Sequence, residues 1–162
     1  MDFTVHYRSP LGGITLASDG TALTGLWFDG QKHFAETLSP MHTERPDLAV
    51  FDETCRWLDL YFAGQRPDFV PPLKPSGTAF RRAVWRQLMA IPYGQTSTYG
   101  EIASRLACRS AQAVGNAVGH NPVSLIIPCH RVVGSDGALT GYAGGLDRKA
   151  WLLRTEELSR LP

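Results

Sequence analysis

The sequence lacks paired cysteines, long apolar runs and a strong net charge. Its three cysteines, Cys55, Cys108 and Cys129, are odd in number and widely spaced, which excludes a disulfide framework and a zinc site with paired ligands. No apolar run approaches the length of a membrane span, and the N-terminus lacks the basic-then-apolar order of a signal peptide. We therefore expect a cytoplasmic protein that uses no membrane, no metal and no other cofactor.

The remaining composition is ordinary, but the charge is unevenly spread. The chain has 162 residues, of which 43% are hydrophobic and 19% charged, and its formal net charge is +1. Residues 1–75 carry six Lys or Arg against ten Asp or Glu, a net charge of −4, whereas residues 76–162 carry ten against five, a net charge of +5. The second half would suit a polyanionic partner, although an ordinary solvated surface would give the same charge.

The first half is predicted to be a small antiparallel sheet followed by one helix. Short alternating runs separated by turn-like segments predict strands over residues 3–8, 13–18 and 23–28. A helix is predicted over residues 47–63, where Cys55 falls on the apolar stripe and is interpreted as a core residue. Three prolines within residues 70–75 exclude a helix or a central strand there, so this segment is interpreted as a linker.

The second half is predicted to be mainly helical. One helix begins near residue 77, with its core stripe at Phe80, Val84, Leu88 and Ile91. Thr98 has the spacing of a capping box and starts a short helix to about residue 106, and Ser110 caps another over residues 111–119. The expected fold class is α/β (α+β), with an N-terminal domain at residues 1–75 and a C-terminal domain at residues 76–162.

The two short helices and the polar turn between them, residues 107–110, have the pattern of a helix-turn-helix. The second helix of such a motif enters a DNA groove. Here that helix is rich in Gly and Ala, which would allow close approach either to DNA or to another helix in the core. Gln112 and Asn116 are its polar candidates, so we expect phosphate and shape contacts rather than extensive reading of base edges.

Residues 127–134, Ile-Pro-Cys-His-Arg-Val-Val-Gly, set a thiol beside an imidazole after an apolar, strand-like run at residues 123–127. Pro128 ends that run, so Cys129 is expected where a buried strand opens into an accessible loop. A nearby base makes a thiolate near neutral pH, and a thiolate is a good nucleophile. A Cys-His pair alone is more often structural, because neighbours in a strand point to opposite faces.

Taken in order, the motifs of the second half resemble the C-terminal domain of the O6-alkylguanine-DNA alkyltransferases, also called methylated-DNA–protein-cysteine methyltransferases. The resemblance runs from about residue 77 to residue 157, and residues 1–75 are similar to the ribonuclease H-like N-terminal domain of that family. The motifs are Tyr99, the helix-turn-helix, Asn121-Pro122-Val123, Pro128-Cys129-His130-Arg131-Val132, Gly141-Tyr142-Ala143-Gly144-Gly145-Leu146 and Lys149-Ala150-Trp151-Leu152-Leu153.

The resemblance implies a DNA repair enzyme that is consumed by its own reaction. A monomer would bind double-stranded DNA through the minor groove and flip O6-alkylguanine out of the helix. Cys129 would take the alkyl group irreversibly, in a single turnover, by in-line displacement. The resemblance leaves open which alkyl groups fit and whether O4-alkylthymine is accepted.

The resemblance also implies roles for individual catalytic residues. His130 would act on Cys129 through a bridging water, and Glu156 would hydrogen-bond His130 and fix its tautomer. Tyr99 would donate to a guanine ring nitrogen as the alkyl group leaves. Asn121 would brace the turn ahead of the active-site segment.

Residues 134–137 and 141–145 form a Gly-rich loop. This loop would form the wall of the guanine pocket. Tyr142 would lie against the base, with backbone donors from Ala143 and Gly144 near O6. Some members of the family carry a serine hydroxyl at the position of Ala143. Arg131 would be either a phosphate ligand or a structural ion pair, and we favour the second.

The DNA-binding surface would lie at the start of the second short helix, at Ser110, Ala111, Gln112 and Asn116. Many members carry an arginine at the position of Gln112, where it fills the gap left by the flipped base. Glutamine brings no charge, so we predict weaker and less salt-sensitive DNA binding. The N-terminal zinc site of some relatives has no Cys/His cluster to build it here.

Three other functions compete with this interpretation. A non-catalytic protein that binds alkylated bases would lack the acceptor cysteine, whereas Cys129 is present. A cysteine hydrolase with a Cys129–His130–Glu156 triad would need an oxyanion hole and would turn over repeatedly. A transcription factor would need a base-reading second helix, which Gly and Ala cannot provide.

Overall fold

The computed structural model describes residues 1–160, without the side chain of Arg160. The chain divides into two compact units, Met1–Ser76 with Pro122–Ser124, and Gly77–Asn121 with the residues from Leu125 onward. A three-residue segment from the second half of the sequence thus belongs to the first unit. The fold class is mixed α and β, as predicted.

The first unit contains a four-stranded sheet in the order β3-β2-β1-β4. The strands β1 (Asp2–Ser9), β2 (Gly12–Ser18) and β3 (Leu23–Phe28) pair antiparallel, which confirms the three predicted strands. The fourth strand, β4 (His42–Glu44), pairs parallel to β1 and was not predicted from the sequence. Its three residues are all exposed, and no apolar alternation marked them in the sequence.

One helix, α1 (Ala49–Phe62), completes the first unit. Its Phe51 and Leu58 are buried, as the apolar stripe predicted, and Gly64 follows at a φ of +81°. Cys55 is only half-buried, so its interpretation as a core residue is wrong in part. Position 55 lies at the edge of the apolar stripe, where helical spacing alone does not decide burial.

The second unit carries three capped helices. Thr78 caps α2 (Ala79–Met89), Thr98 caps α3 (Tyr99–Arg105) and Ser110 caps α4 (Ala111–Gly119). In each case the side-chain oxygen accepts a hydrogen bond from the backbone N–H three residues later, which satisfies a donor at the helix start. The two predicted helices of the helix-turn-helix are therefore present with their predicted caps.

The segment that contains Cys129 follows these helices. It consists of a single 3₁₀ turn, Cys129–Arg131, then β6 (Val132–Val133), which pairs parallel to β5 (Ser97–Thr98). The final helix, α5, spans Leu146–Arg160. Within residues 1–160, no helix is both long and apolar enough to cross a bilayer.

Two predictions about the second half of the sequence are wrong. The apolar run at residues 123–127 is not a strand: Val123 forms one isolated bridge with Leu26, and the chain then turns at Leu125, which has a φ of +71° and is fully buried. A continuous apolar run indicates burial but not the type of structure, because a buried turn can contain such a run as well as a strand can. Phe80 is 37% exposed, because it lies in the first turn of α2, ahead of the buried Val84 and Leu88.

Candidate active site

The 3₁₀ turn places the thiol, an imidazole and a guanidinium on three consecutive buried residues. The amide of Cys129 donates to Ile127 O at 2.8 Å, and that of Arg131 donates to Pro128 O at 3.0 Å. Cys129 is 3% exposed, so the expectation of an accessible loop cysteine is wrong. The turn follows Pro128 directly and stays within the core.

His130 and Glu156 form a pair that is closed to solvent. His130 Nε2 lies 2.5 Å from Glu156 Oε2, and both side chains are 0% exposed. Burial lowers the pKa of His130, although the hydrogen bond with Glu156 opposes that shift, so the ring is neutral near pH 7. Since a carboxylate only accepts, the imidazole proton lies on Nε2 and Nδ1 is the basic nitrogen.

The second carboxylate oxygen of Glu156 is held as firmly as the first. Arg131 Nε donates to Glu156 Oε1 at 2.8 Å, and the amide of Gly94 donates to the same oxygen at 3.1 Å. Burial alone would raise the pKa of Glu156, but the hydrogen bonds from His130 and Arg131 and the charge of Arg131 outweigh it and hold that pKa well below its usual range. The carboxylate therefore stays ionised inside the protein.

Arg131 is a structural ion-pair partner in this geometry. It is 8% exposed, its Nη1 donates to Ile91 O at 2.8 Å, and its guanidinium lies 5.6 Å from the centre of the Tyr93 ring. A side chain with these buried contacts is not presented to a phosphate. Two roles for Arg131 were open from its motif, and these contacts support the structural one.

Asn121 lies where the chain approaches the active-site turn. The side chain is 4% exposed, and its Nδ2 donates to Ile127 O at 2.8 Å. The amide thus spans the turn at residues 121–127 and satisfies a buried carbonyl just before Pro128. This geometry matches the bracing contact expected of Asn121.

Tyr99 begins α3 and points its hydroxyl at the Gly-rich loop. The hydroxyl donates to Thr140 O at 3.2 Å and to Gly141 O at 3.3 Å. The ring lies against Gly115 of α4, where an added Cβ would sit 3.8 Å from two ring carbons. Burial raises the pKa of Tyr99, and negative charge at Cys129 adds to the shift, so the phenol remains protonated.

Tyr142 lies in the Gly-rich loop, and its hydroxyl group is enclosed by the protein. Its hydroxyl oxygen is buried and has no hydrogen-bond partner among residues 1–160. Burial raises the pKa of Tyr142 well above its usual value, and negative charge at Cys129 contributes in the same direction. Ala143 is half-buried and Gly144 is buried, and Gly144 O accepts from Arg148 Nη1 at 3.0 Å.

The four residues predicted to bind DNA lie together at the start of α4, and all of them are exposed: Ser110, Ala111, Gln112 and Asn116. An open cavity of about 450 Å³ adjoins them, and its wall includes Thr78, Phe80 and Arg81 from the start of α2. Sequence reasoning missed these α2 residues, because it assigned Phe80 to the core. It also missed Gly94, whose contribution to the site is a backbone amide that no side-chain pattern reveals.

Two family models match the chain. The DNA-binding domain of 6-O-methylguanine DNA methyltransferase matches residues 79–158, and the ribonuclease-like domain of the same family matches residues 4–75. The chain belongs to the 6-O-methylguanine DNA methyltransferase family. The resemblance found in the motifs is therefore confirmed, and it extends over both halves of the chain.

Relatives in this family align over nearly the full length. The methylated-DNA–protein-cysteine methyltransferase of Mycobacterium tuberculosis is 45% identical over 98% of this chain and 95% of its own, and that of Haemophilus influenzae is 41% identical over 96% and 87%. The crystal structure of Mycobacterium tuberculosis OGT in complex with DNA superimposes with a TM-score of 0.86 at 43% identity, over 98% of this chain and 93% of that one.

Proposed function

We propose that this chain is a methylated-DNA–protein-cysteine methyltransferase, which repairs O6-alkylguanine in duplex DNA by moving the alkyl group to Cys129. The observation that carries the proposal is the buried contact of 2.5 Å between His130 Nε2 and Glu156 Oε2. His130 directly follows the thiol residue Cys129 in the sequence. Residues 76–162 would form the DNA-binding and alkyl-acceptor domain, and residues 1–75 the ribonuclease H-like domain. The protein would act as a monomer on DNA in the cytoplasm.

The first step is activation of the thiol. Glu156 keeps the imidazole proton of His130 on Nε2, so Nδ1 takes the proton of Cys129 through a bridging water. The thiolate then attacks the alkyl carbon from the side opposite O6. The S–C bond forms as the C–O6 bond breaks, and the electron pair of the broken bond stays on guanine.

The second requirement is to stabilise the departing guanine, which gains negative charge. Tyr99 gives up its hydrogen bonds to the carbonyls of Thr140 and Gly141 when the base is bound. It then donates its hydroxyl proton to a ring nitrogen of guanine. The proton released by the thiol restores the phenol, so one proton passes in total from Cys129 to guanine. Tyr142 lies against the base, and the backbone amides of Ala143 and Gly144 donate hydrogen bonds to O6.

The alkylated base has to leave the duplex to reach the sulfur. Cys129 is 3% exposed, and no base stacked inside a helix can approach such an atom. Extrusion costs a few kcal/mol, and less for a damaged base that pairs poorly. Ser110, Ala111, Gln112 and Asn116 offer an exposed surface to the minor groove, and counterion release by the basic second half offsets part of the cost.

A cysteine hydrolase is the second candidate, and the family of the chain opposes it. A hydrolase needs water to reach the covalent intermediate and needs donors for an oxyanion. Alkyl transfer to Cys129 ends at a thioether, and that step needs no attacking water. A protein that only binds alkylated bases would have no use for the acceptor thiol and its relay.

A stoichiometry measurement tests the proposal. Increasing amounts of duplex DNA with one O6-methylguanine are incubated with a fixed amount of protein, and restored guanine is counted. The proposal expects a plateau at one guanine per protein molecule and no repair by Cys129→Ser. Continued turnover beyond one equivalent would favour the hydrolase, and no restored guanine would contradict the proposal.

A further inference from the structure

We propose that Gly94 is a positioning residue for the relay of Cys129, His130 and Glu156. Its positive φ aims a backbone amide at Glu156 and so keeps the carboxylate in place beside the imidazole. The inference rests on the proposed function of Cys129 as the alkyl acceptor. It goes beyond the mechanism above, which requires the acid at a fixed place and assigns that task to no residue.

A four-residue turn follows the end of α2. The amide of Gln95 donates to Pro92 O at 3.0 Å, and Gly94, at the third position of the turn, has a φ of +79°. Tyr93, at the second position, does not have a positive φ. A turn whose third position alone has a positive φ is a type II turn, and glycine is favoured there because a Cβ is strained in that conformation.

The turn and the residue before it contact the buried ion pair of Arg131 and Glu156. Ile91 O accepts from Arg131 Nη1 at 2.8 Å, and the centre of the Tyr93 ring lies 5.6 Å from the guanidinium. The amide of Gly94 donates to Glu156 Oε1 at 3.1 Å, and this is the oxygen that does not face the imidazole. The turn therefore holds the carboxylate from the side opposite to its catalytic partner.

Both ends of the turn are anchored in the second unit. Ile91 before it is 4% exposed, and Ser97 after it is 5% exposed. Ser97 begins β5, which pairs with β6 directly after the 3₁₀ turn that contains Cys129. The direction of the Gly94 amide is therefore decided by the conformation of the turn, because the chain on either side of it is packed into the core.

The conformation at position 94 decides which group faces the carboxylate. Type I and type II turns differ in the orientation of the peptide between the second and third positions, here the peptide that joins Tyr93 to Gly94. An alanine at position 94 would favour type I, since its Cβ disfavours a positive φ. The N–H would then point away, and Tyr93 O would face Glu156 Oε1. A carbonyl dipole repels a carboxylate, so Glu156 would lose its alignment with His130.

A substitution of Gly94 changes this donor without changing a charge. The ionisable groups that face Glu156 are His130, Arg131 and the Tyr142 phenol, and all three remain in such a variant. A change in the reactivity of the thiol would therefore report the direction of the amide and not the loss of a charged group.

The reactivity of the thiol in the absence of DNA tests the inference. The rate of iodoacetamide modification at Cys129 is followed against pH by peptide mass mapping, which separates it from Cys55 and Cys108. Gly94→Ala should react about tenfold more slowly at pH 7, because loss of an outer contact that orients a functional histidine costs about 10- to 100-fold. The two rates should converge at high pH, where the thiol ionises without a base.

Two further variants separate positioning from a general loss of stability. Gly94→Asn should keep most of the wild-type rate at pH 7, since asparagine tolerates a positive φ better than alanine does. Gly30→Ala is the matched control: Gly30 also has a φ of +79°, and nothing lies within 4 Å of an added Cβ, so its rate should equal that of the wild type. A wild-type rate in Gly94→Ala, or a loss in Gly94→Asn or Gly30→Ala as large as in Gly94→Ala, would overturn the inference.

Glycine NMR tests the contact in the wild-type protein, so the inference is decided even if Gly94→Ala does not fold. With ¹⁵N-labelled glycine, the Gly94 signal is the one that Gly94→Asn removes. Its amide proton should lie downfield of glycine amide protons that face water, because it donates to an ionised carboxylate. A position typical of amides in water would contradict the inference.

Neither measurement uses DNA, so the two proposals can fail separately. If Gly94→Ala slows the thiol reaction but the wild type restores no guanine, the proposed function fails and the positioning of Glu156 stands. If the wild type restores guanine and Gly94→Ala reacts with iodoacetamide at the wild-type rate, only the role of Gly94 fails.

Discussion

Arg131 Nε donates to Glu156 Oε1 at 2.8 Å, so the carboxylate that partners His130 is also held by the side chain next to His130 in sequence. One oxygen of Glu156 is committed to the imidazole and the other to the guanidinium and to the amide of Gly94. The acid therefore has two tasks, orientation of the base and neutralisation of a buried arginine. Its removal should affect both reactivity and stability.

Glu156→Gln should destabilise the protein and slow alkyl transfer. Removing one partner of a buried ion pair leaves an uncompensated charge, here Arg131, at a cost of about 3–5 kcal/mol. Urea unfolding at pH 7 measures the loss, with Glu157→Gln as the control because Glu157 is the exposed neighbour on the same helix. Equal stability of the two variants would show that the Glu156 pair contributes nothing.

The stability of the wild type should fall steadily on acidification from neutral pH. The folded pKa of His130 is lowered from 6.5, so the unfolded chain binds that proton first and stability declines as the pH drops below 6.5. The folded pKa of Glu156 is lowered from 4.5, so its contribution is present above 4.5 and is lost as the pH falls through the folded value. Thermal unfolding at a series of pH values measures the profile.

The same scan on Glu156→Gln separates the two groups. This variant should keep the decline that begins near pH 6.5 and lose the additional one below pH 4.5. A wild-type profile that is flat between pH 7 and pH 3 would contradict the assigned protonation states.

Tyr99→Phe should slow transfer by about 100-fold, because it removes one hydrogen-bond donor to the departing guanine. The fold should stay intact, because the phenyl ring keeps its contact with Gly115. A single-turnover assay with excess protein measures the rate. Tyr7→Phe is the matched control, since it removes an exposed hydrogen bond from a tyrosine hydroxyl to Asp59 in the first unit. Equal rates for Tyr99→Phe and the wild type would exclude proton donation by Tyr99.

Gln112→Arg should tighten DNA binding and make it more sensitive to salt. Gln112 is exposed at the start of α4, and one added cation that approaches phosphates steepens the log–log salt dependence by about one. Fluorescence titration at several salt concentrations measures both quantities. Gln65→Arg adds the same charge to an exposed site in the first unit and should change neither. An unchanged affinity and slope for Gln112→Arg would refute the prediction.

Local signals in the sequence predicted much of the fold. The three alternating strands, a helix start near residue 77 and the caps Thr98 and Ser110 all depend on neighbouring residues, and the structure contains the strands, the caps and a helix that begins at Ala79. The motifs around Cys129 likewise indicate the family from neighbouring residues alone. These features need no information about distant contacts.

Features that depend on distant contacts could not be predicted. β4 is held by its pairing with β1, and the turn at Leu125 is buried by surroundings that an apolar run does not specify. The burial of Cys129 and the compensation of Arg131 by Glu156 join residues far apart in sequence. Lys149 finds its acceptors only after α5 packs against the loop, so its position in a motif gave no indication of its bonds.

Intact-mass spectrometry with peptide mapping tests the central claim most directly. The protein is incubated with duplex DNA containing O6-methylguanine, beside Cys129→Ser and beside undamaged duplex. The account predicts the mass of one added methyl group, located on Cys129, and no addition in either control. A methyl group on Cys55 or Cys108, or no methyl group on a folded protein that binds the DNA, would contradict it.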